Sequence, residues 1–244
     1  GGSVVGVHPR ELYDYVDILG TEGGFHRAEL NRAGLWKVSS NMKALAAISE
    51  DMLKGEKPLV CFFAGNMSGT PCYMHTPAET QLIYAQAIAN GTNVWYGVHF
   101  SPSEFMNTEA CLTAKEMNEF VLCHKKIFAP SKTCARVALV WSRDTTDNYE
   151  TSIDESDFVA ARKANNAERG DHYTAVLFMI DVLERNHIQF DILDEDLIHN
   201  GTINSYDTVI LPELACVSEK TAECIRRYVA AGGNVLANFD IGVY

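Results

Sequence analysis

Residues 172–193 read HYTAVLFMIDVLERNHIQFDIL, and residues 206–239 read YDTVILPELACVSEKTAECIRRYVAAGGNVLANF. In both stretches an amphipathic segment, apolar at every third or fourth position, alternates with a short apolar run rich in β-branched residues. The first pattern is typical of a helix and the second of a buried strand. Strands that alternate with helices of roughly a dozen residues predict parallel βαβ units whose sheet is covered on both faces.

The ends and the apolar faces of these elements can also be predicted. A helix is expected over residues 172–186, with an inner face formed by Leu177, Ile180 and Leu183. A second helix begins after the N-cap Ser218 and ends at Gly232-Gly233, and its expected inner face consists of Ala222, Ile225 and Val229. Strands are predicted over residues 136–141, 188–193, 208–211 and 235–239.

The composition limits the classes of protein to which this chain can belong. The chain has 244 residues, of which 47% are hydrophobic and 21% charged, with a formal net charge of −12. These values are typical of a globular chain with one large domain or two ordinary ones. The negative net charge argues against nucleic acid and membrane surfaces as partners, whereas it is compatible with a neutral substrate such as a sugar. No apolar run approaches the roughly 18–20 residues that span a bilayer.

Cysteine, metal and targeting signatures are lacking. The seven cysteines include no CxxC pair, so free thiols are expected rather than disulfides or a zinc site. No spacing of His, Asp or Glu indicates a metal site and no motif indicates a cofactor, so we expect neither. The residues Gly1-Gly2-Ser3 look like a tag remnant or an internal cut and no signal peptide follows, which leaves the location open between cytoplasm and export.

Two domains are predicted, over residues 1–133 and 134–244, because Pro130, Ser131 and Lys132 separate a helical segment from the next strand. Residues 144–169 are predicted to form a polar surface insertion with one helix over 157–164.

The N-terminal domain is expected to alternate strands and helices as well. Strands are predicted over residues 15–20, 58–64 and 92–98, and helices over residues 42–53, 76–90 and 108–128. One helix start is strongly marked, because Thr76 can act as N-cap, Pro77 occupies the first helical position, and Glu79 completes a capping box.

Polar side chains follow each of these three strands: Glu22, Asn66 and His99. Because ligands bind at the carboxyl ends of strands in α/β folds, we expect these side chains to line one site. Glu22 precedes Gly23-Gly24, and its carboxylate suits acid–base catalysis or a hydrogen bond to a sugar hydroxyl, although it would also suit a capped turn. Trp95 and His99 suit a sugar-binding surface or, alternatively, an aromatic core with one satisfied histidine, and Asn66 suits a substrate contact or a turn.

A family resemblance becomes specific in the second domain. The run Tyr206–Pro212, followed by Ser218 and by Tyr228–Gly233, resembles the trimerisation domain of the family 42 β-galactosidases and related hypothetical glycosidases. The resemblance implies a flavodoxin-like fold, akin to class I glutamine amidotransferases, and a homo-oligomer, a trimer. The preceding part resembles the last third of a (β/α)₈ barrel, in which Glu79–Gly91 is similar to the helix that leads to strand eight.

The chain also departs from that family. In such barrels the nucleophilic glutamate closes strand seven and the acid glutamate closes strand four. Residues 58–64 correspond to strand seven but end in Ala64-Gly65-Asn66, and strand four would lie upstream of Gly1. A retaining glycosidase needs two carboxylates about 5–5.5 Å apart. We therefore expect either that this chain is a piece of a longer protein or that a second copy completes its sheet.

The resemblance implies a glycoside hydrolase, β-galactosidase-like, that hydrolyses O-glycosidic bonds of a carbohydrate substrate. Glu22 is predicted to be catalytic, and Asn66, Trp95 and His99 are predicted to bind the substrate. Two alternatives stay open. One is a non-catalytic carbohydrate-binding or oligomerisation protein on a degenerate glycosidase scaffold, and the other is an amidotransferase-like enzyme that uses Cys216 as nucleophile.

Overall fold

The computed structural model describes residues 9–23, 35–49, 57–65, 74–98, 106–129, 131–149 and 172–244. The chain divides into two compact units. The N-terminal unit is Val16–Thr133, and the C-terminal unit is Cys134–Tyr244 together with the residues up to Tyr15. Both units are built from parallel strands alternating with helices, so the predicted α/β fold class is confirmed.

The N-terminal unit contains a three-stranded parallel sheet in the order β1-β2-β3. Its strands are β1 (Leu19–Glu22), β2 (Leu59–Ala64) and β3 (Asn93–Gly97). Its helices are α1 (Lys37–Ile48), α2 (Pro77–Ala89), α3 (Glu109–Cys123) and α4 (Lys125–Phe128).

The core of this unit lies between the sheet and its helices. Strand β2 alternates, so that Cys61 and Phe63 point into the helix layer and are almost fully buried. They pack against apolar residues of α1, α2 and α3: Val38, Met42, Ile83, Tyr84, Ala87 and Ala114. The ring of Phe63 meets Tyr84 and Tyr96 edge to face, with centroids 5.8 and 5.2 Å apart. This side of the sheet is therefore filled.

The predicted elements of this unit differ from the observed ones mainly at their ends. The capping box is present, since Glu79 donates its backbone N–H to the hydroxyl of Thr76 and accepts from the backbone N–H of Thr76. The first strand begins at Leu19, four residues later than predicted, because Tyr15 ends a 3₁₀ helix. The first α-helix begins at Lys37, one turn earlier than predicted, because Val38 already belongs to the apolar face that enters the core.

The C-terminal unit contains a four-stranded parallel sheet in the order β5-β4-β6-β7. Its strands are β4 (Val137–Val140), β5 (Phe190–Leu193), β6 (Thr208–Pro212) and β7 (Asn234–Asn238). Its helices are α5 (Arg143–Asn148), α6 (His172–Arg185), α7 (Glu195–His199) and α8 (Glu219–Ala230). This strand order is that of flavodoxin-like folds, and right-handed crossovers place α6 on one face and α7 and α8 on the other.

Two predicted inner faces are partly wrong. In α6 the buried apolar residues are Val176, Ile180 and Leu183, whereas Leu177 is 36% exposed. In α8 the buried residues are Thr221, Cys224 and Tyr228 instead of Ala222, Ile225 and Val229, a rotation by one position. The reason is hydrogen bonding: the Tyr228 hydroxyl donates to the carbonyl oxygen of Tyr206 at 3.2 Å, and the Thr221 hydroxyl lies 2.9 Å from Nε2 of His199.

The described residues include only the first part of the predicted insertion. Its first residues form α5, for which the hydroxyl of Ser142 accepts the backbone N–H of Thr145 at 2.9 Å. The helix predicted over 157–164 lies outside the described residues. Among the helices that are described, none is long and apolar enough to cross a membrane.

Candidate functional site

Three side chains form a row across the sheet of the N-terminal unit. The register pairs Glu22 with Phe62 and Phe62 with Trp95. Paired residues of parallel strands point to the same face of a sheet, and side chains alternate along each strand. Because Cys61 and Phe63 point into the helix layer, Glu22, Phe62 and Trp95 point to the opposite face. We call these three residues the open-face row.

The aromatic half of the open-face row offers a flat apolar surface. The rings of Phe62 and Trp95 meet edge to face, with centroids 5.1 Å apart and an interplanar angle of 64°. Trp95 is 64% exposed, so a large part of its indole is free to contact a ligand. An aromatic ring of this kind can stack on the C–H face of a sugar, while its N–H can donate to a hydroxyl.

Hydrogen bonds of the backbone hold the end of β1, which carries Glu22. Glu22 is the last residue of β1 and is exposed. The next N–H, that of Gly23, donates to the carbonyl oxygen of Phe62 at 2.7 Å, and the side-chain amide of Asn41 donates to the carbonyl oxygen of Glu22 at 2.7 Å. A Cβ at Gly23 would lie 2.4 Å from Sγ of Cys61, so only glycine fits there. The Glu22 carboxylate therefore projects from a fixed strand end.

In the row beyond the open-face row, the described residues of β2 and β3 are small. Ala64 pairs with Gly97 one step nearer the carboxyl edge of the sheet. A Cβ at Gly97 would lie 2.9 Å from Cε2 of Phe62, so the absence of a side chain there leaves room for the phenyl ring.

The structure brings together two of the four predicted site residues, Glu22 and Trp95. Asn66 and His99 lie outside the described residues. The sequence analysis missed Phe62 and Asn41. The alternation of the apolar run over 58–64 places Phe62 on one face of the sheet. The residues beside Phe62 could not be predicted, because they depend on the register of the strands.

Within the three described strands Glu22 is the only carboxylate. Among the described residues no group of three His, Cys, Asp or Glu side chains could hold a metal ion.

The C-terminal unit has a different polar cluster where β4 and β6 end, at the position where flavodoxin-like folds bind ligands. His172, which is fully buried, lies at this crevice. Its Nε2 accepts the backbone N–H of Ser142 at 2.8 Å, and its Nδ1 lies 2.6 Å from the carbonyl oxygen of Pro212. These bonds tie the ends of both strands to α6.

Cys216 lies beside this crevice and does not have the character of a nucleophile. Burial raises the pKa of its thiol, and the carboxylates of Asp144 and Glu195 raise it further. A raised pKa keeps the sulfur protonated at neutral pH, whereas a nucleophilic cysteine needs the thiolate. Its backbone N–H donates to the hydroxyl of Thr145 at 3.2 Å. The surroundings of Cys216 therefore favour the protonated thiol over the thiolate. It is one of six cysteines that the structure describes as free thiols.

Glu195 fastens α5 to the end of β5. Its carboxylate accepts hydrogen bonds from the hydroxyl of Ser142 and from the backbone N–H groups of Arg143, at 3.0 Å, and Asp144, at 3.4 Å. Burial nevertheless raises the pKa of Glu195, because its desolvation outweighs these bonds. These hydrogen bonds join the start of α5 to the start of α7.

Comparisons with known proteins assign the C-terminal unit to a domain family and show the fold of the chain. Residues 135–243 match the family model of the β-galactosidase trimerisation domain. The chain is also similar to the solved structure of Gan42B, a GH42 β-galactosidase, with a TM-score of 0.70 and 14% identity, covering 96% of this chain and 34% of that one.

Two further solved structures are similar. The apo exo-carrageenase GH42 from Bacteroides ovatus has a TM-score of 0.65 and 13% identity, covering 97% of this chain and 32% of its own. The α-L-fucosidase isoenzyme 2 from Paenibacillus thiaminolyticus has a TM-score of 0.62 and 18% identity, covering 93% and 30%. At such identities the likeness shows the fold, and the chain spans about a third of the length of these proteins.

The predicted resemblance is confirmed for residues 135–243, and the fold of the chain is that of the solved family 42 structures. Its C-terminal unit carries a β-galactosidase trimerisation-type domain of flavodoxin-like fold. Its N-terminal unit has the parallel βα architecture of part of a (β/α)₈ barrel.

Proposed function

We propose that this chain contributes to a glycoside hydrolase, β-galactosidase-like, that hydrolyses O-glycosidic bonds. The observation that carries the proposal is the match of residues 135–243 to the β-galactosidase trimerisation domain, on a chain whose other unit has the fold of family 42 barrels. The open-face row supports it, because a carboxylate and an exposed indole on one face are the groups that recognise a sugar.

In this proposal Glu22 contacts the substrate as a catalytic or hydroxyl-binding carboxylate, and Trp95 stacks on the sugar ring. Asn66 and His99 remain proposed substrate ligands on sequence grounds. Hydrolysis with retention needs a second carboxylate about 5–5.5 Å from the first. Within the three described strands Glu22 has no such partner, so the second acid comes from a segment other than these strands.

We assign assembly to the residues from 134 onward and sugar binding to residues 1–133. The trimerisation-type domain supports a homo-oligomer, and the proposed state is a trimer. The hydrogen bonds of His172 support this division, because they give a side chain at the usual ligand position a structural role.

The test is hydrolysis of para-nitrophenyl β-D-galactoside by the full-length protein, together with calorimetric titration with galactose. We expect Glu22→Ala to lower kcat/KM by about 10²-fold or more if the carboxylate takes part in proton transfer. The matched control is Glu116→Gln, an exposed carboxylate on α3, which should change neither quantity. If Glu22→Ala left both hydrolysis and galactose binding intact, the site assignment would be wrong.

A second candidate function is carbohydrate binding without catalysis. It is favoured by the end of β2, where the sequence continues Ala64-Gly65-Asn66 and offers no carboxylate at the position of the family nucleophile. It predicts galactose binding that depends on Trp95 and Glu22, with no turnover of any aryl glycoside. Turnover by wild type that is abolished in Glu22→Ala would exclude it.

A further inference from the structure

We propose that Asn41 is the positioning residue for Glu22, holding the end of β1 so that the carboxylate keeps one orientation on the open face. The proposal rests on the proposed function, since it gives Asn41 a role only through a sugar-contacting Glu22. The observation behind it is the hydrogen bond of 2.7 Å that the side-chain amide of Asn41 donates to the carbonyl oxygen of Glu22.

The strand end needs such a restraint. Among the described strands β1 has a single neighbour, β2, so one of its edges is unpaired within the described sheet. Glu22 is its last residue, and the ladder beyond it continues only through the N–H of Gly23, which donates to Phe62. The carbonyl group of Glu22 would otherwise bond to water at an exposed position, and the peptide between Glu22 and Gly23 would be free to rotate.

The anchor that Asn41 provides is rigid. It lies on α1 between Val38 and Met42, which are both 0% exposed and belong to the core of the unit. Val38 also lies close to Gly23, because a Cβ there would be in ordinary contact, 3.6 Å, with both of its methyl groups. The helix, the glycine and the strand end therefore form one packed assembly. A reactive carboxylate gains most from such support, because small displacements of a catalytic group reduce the rate strongly.

The residue type matters as well as its place. The interaction requires an N–H donor that reaches a carbonyl oxygen, and asparagine supplies one with a short stem. Aspartate has the same shape but no donor, and it would set a second negative charge near the Glu22 carboxylate. Alanine removes the bond and is the best helix former, so α1 should remain intact in Asn41→Ala.

The experiment uses the full-length protein with Asn41→Ala, Asn41→Asp and Asn41→Gln, and it includes Asn90→Ala as a matched control. Asn90 also donates a side-chain amide to a backbone carbonyl oxygen, that of Gln86 at 2.8 Å, in the same unit but at the carboxyl end of α2. The rate with para-nitrophenyl β-D-galactoside and the affinity for galactose are measured for each variant, so that a protein without turnover still gives a result.

We expect Asn41→Ala and Asn41→Asp to lower kcat by about 10- to 100-fold, with a smaller change in KM. Without turnover, the affinity for galactose should fall instead. Asn41→Gln should recover part of the loss, and Asn90→Ala should stay within about twofold of wild type. Because Asn41 acts through Glu22, adding Asn41→Ala to Glu22→Ala should cause no further loss.

Each contrary result has its own meaning. If Asn41→Ala behaves like Asn90→Ala, or if its full effect persists in the Glu22→Ala background, the role of Asn41 is only structural and the proposal is overturned, while the site at Glu22 stands. If Glu22→Ala itself has no effect on rate or affinity, the proposed site fails and the role of Asn41 fails with it.

Discussion

The backbone N–H of Ser142 donates a hydrogen bond of 2.8 Å to Nε2 of His172. That nitrogen is therefore the acceptor, and Nδ1 carries the proton, which it donates to the carbonyl oxygen of Pro212 at 2.6 Å. The imidazole is neutral in this arrangement and joins the ends of two strands to the first turn of α6. It lies at the position where flavodoxin-like sheets bind their ligands.

Replacement of His172 tests whether this bridge stabilises the C-terminal unit. His172→Phe keeps a ring in the site but leaves the N–H of Ser142 and the carbonyl group of Pro212 without the partner they have now. Each buried group that loses its hydrogen bond costs about 1–3 kcal/mol, so we expect the free energy of unfolding to fall by about 2–5 kcal/mol. Urea unfolding monitored by Trp141, with Trp36 and Trp95 replaced by phenylalanine, measures this change.

His187 provides the control for that experiment. It is exposed and follows α6. Its φ is 55°, a backbone conformation that residues other than glycine rarely adopt. His187→Gly should raise the free energy of unfolding by about 0.5–1 kcal/mol, because glycine relieves this strain. If His172→Phe did not lower the free energy of unfolding below that of wild type, the bridge would have no stabilising role.

Glu195 should make the free energy of unfolding depend on pH. Burial raises its pKa in the folded protein, so the folded chain binds a proton at higher pH than the unfolded chain does. The resulting stabilisation is fully present below the unfolded pKa of about 4.3 and is lost as the pH rises through the folded pKa. We therefore expect the stability of wild type, relative to Glu195→Gln, to decrease as the pH is raised from about 4 to 7.

Urea unfolding at several pH values between these limits measures the difference. Glu219→Gln is the matched control, because the Glu219 side chain is 86% exposed and its replacement should leave the shape of the pH profile unchanged. Parallel profiles for wild type and Glu195→Gln would contradict the expectation.

Local signals in the sequence predicted local structure well. The caps at Thr76 and Ser218 are both present, because each depends on residues within one turn of the helix. The apolar runs predicted all seven described strands. The predicted and observed ends differ by one or two residues, except in the strand that begins at Leu19, where the start differs by four. These features need no knowledge of the rest of the chain.

Features that depend on distant residues were missed. The inner face of α8 is rotated by one position because the Tyr228 hydroxyl bonds to Tyr206, which lies 22 residues earlier. Phe62 joins Trp95 and Glu22 only through the register of three strands. The bond from Asn41 to Glu22 spans 19 residues. Periodicity alone reports none of these, because it describes one element at a time.

The capping box at α2 offers a test of stability in the N-terminal unit. Thr76→Ala removes the acceptor for the backbone N–H of Glu79 and should lower the free energy of unfolding by about 1 kcal/mol. Thr76→Ser keeps the hydroxyl and should lose much less. Urea unfolding monitored by Trp95 measures both variants, and equal losses would mean that the hydroxyl bond contributes nothing.

Gly97 should control the geometry of the open-face row. In Gly97→Ala the new methyl group would lie 2.9 Å from Cε2 of Phe62, closer than such contacts normally allow, so the phenyl ring must move. Trp95 meets that ring edge to face with centroids 5.1 Å apart, and its surroundings should change with it. We expect a shifted Trp95 emission spectrum and weaker galactose binding, measured in a background where Trp36 and Trp141 are phenylalanine.

Gly20→Ala is the control on the same face of the sheet. Its Cβ would meet the carbonyl oxygen of Val60 at 3.6 Å, an ordinary contact, and it lies in the row that pairs Gly20 with Val60 and Val60 with Asn93. The Trp95 spectrum should therefore be unchanged in this variant. An unchanged spectrum in Gly97→Ala as well would mean that the Phe62 ring has another position open to it, and that Gly97 does not set the aromatic surface.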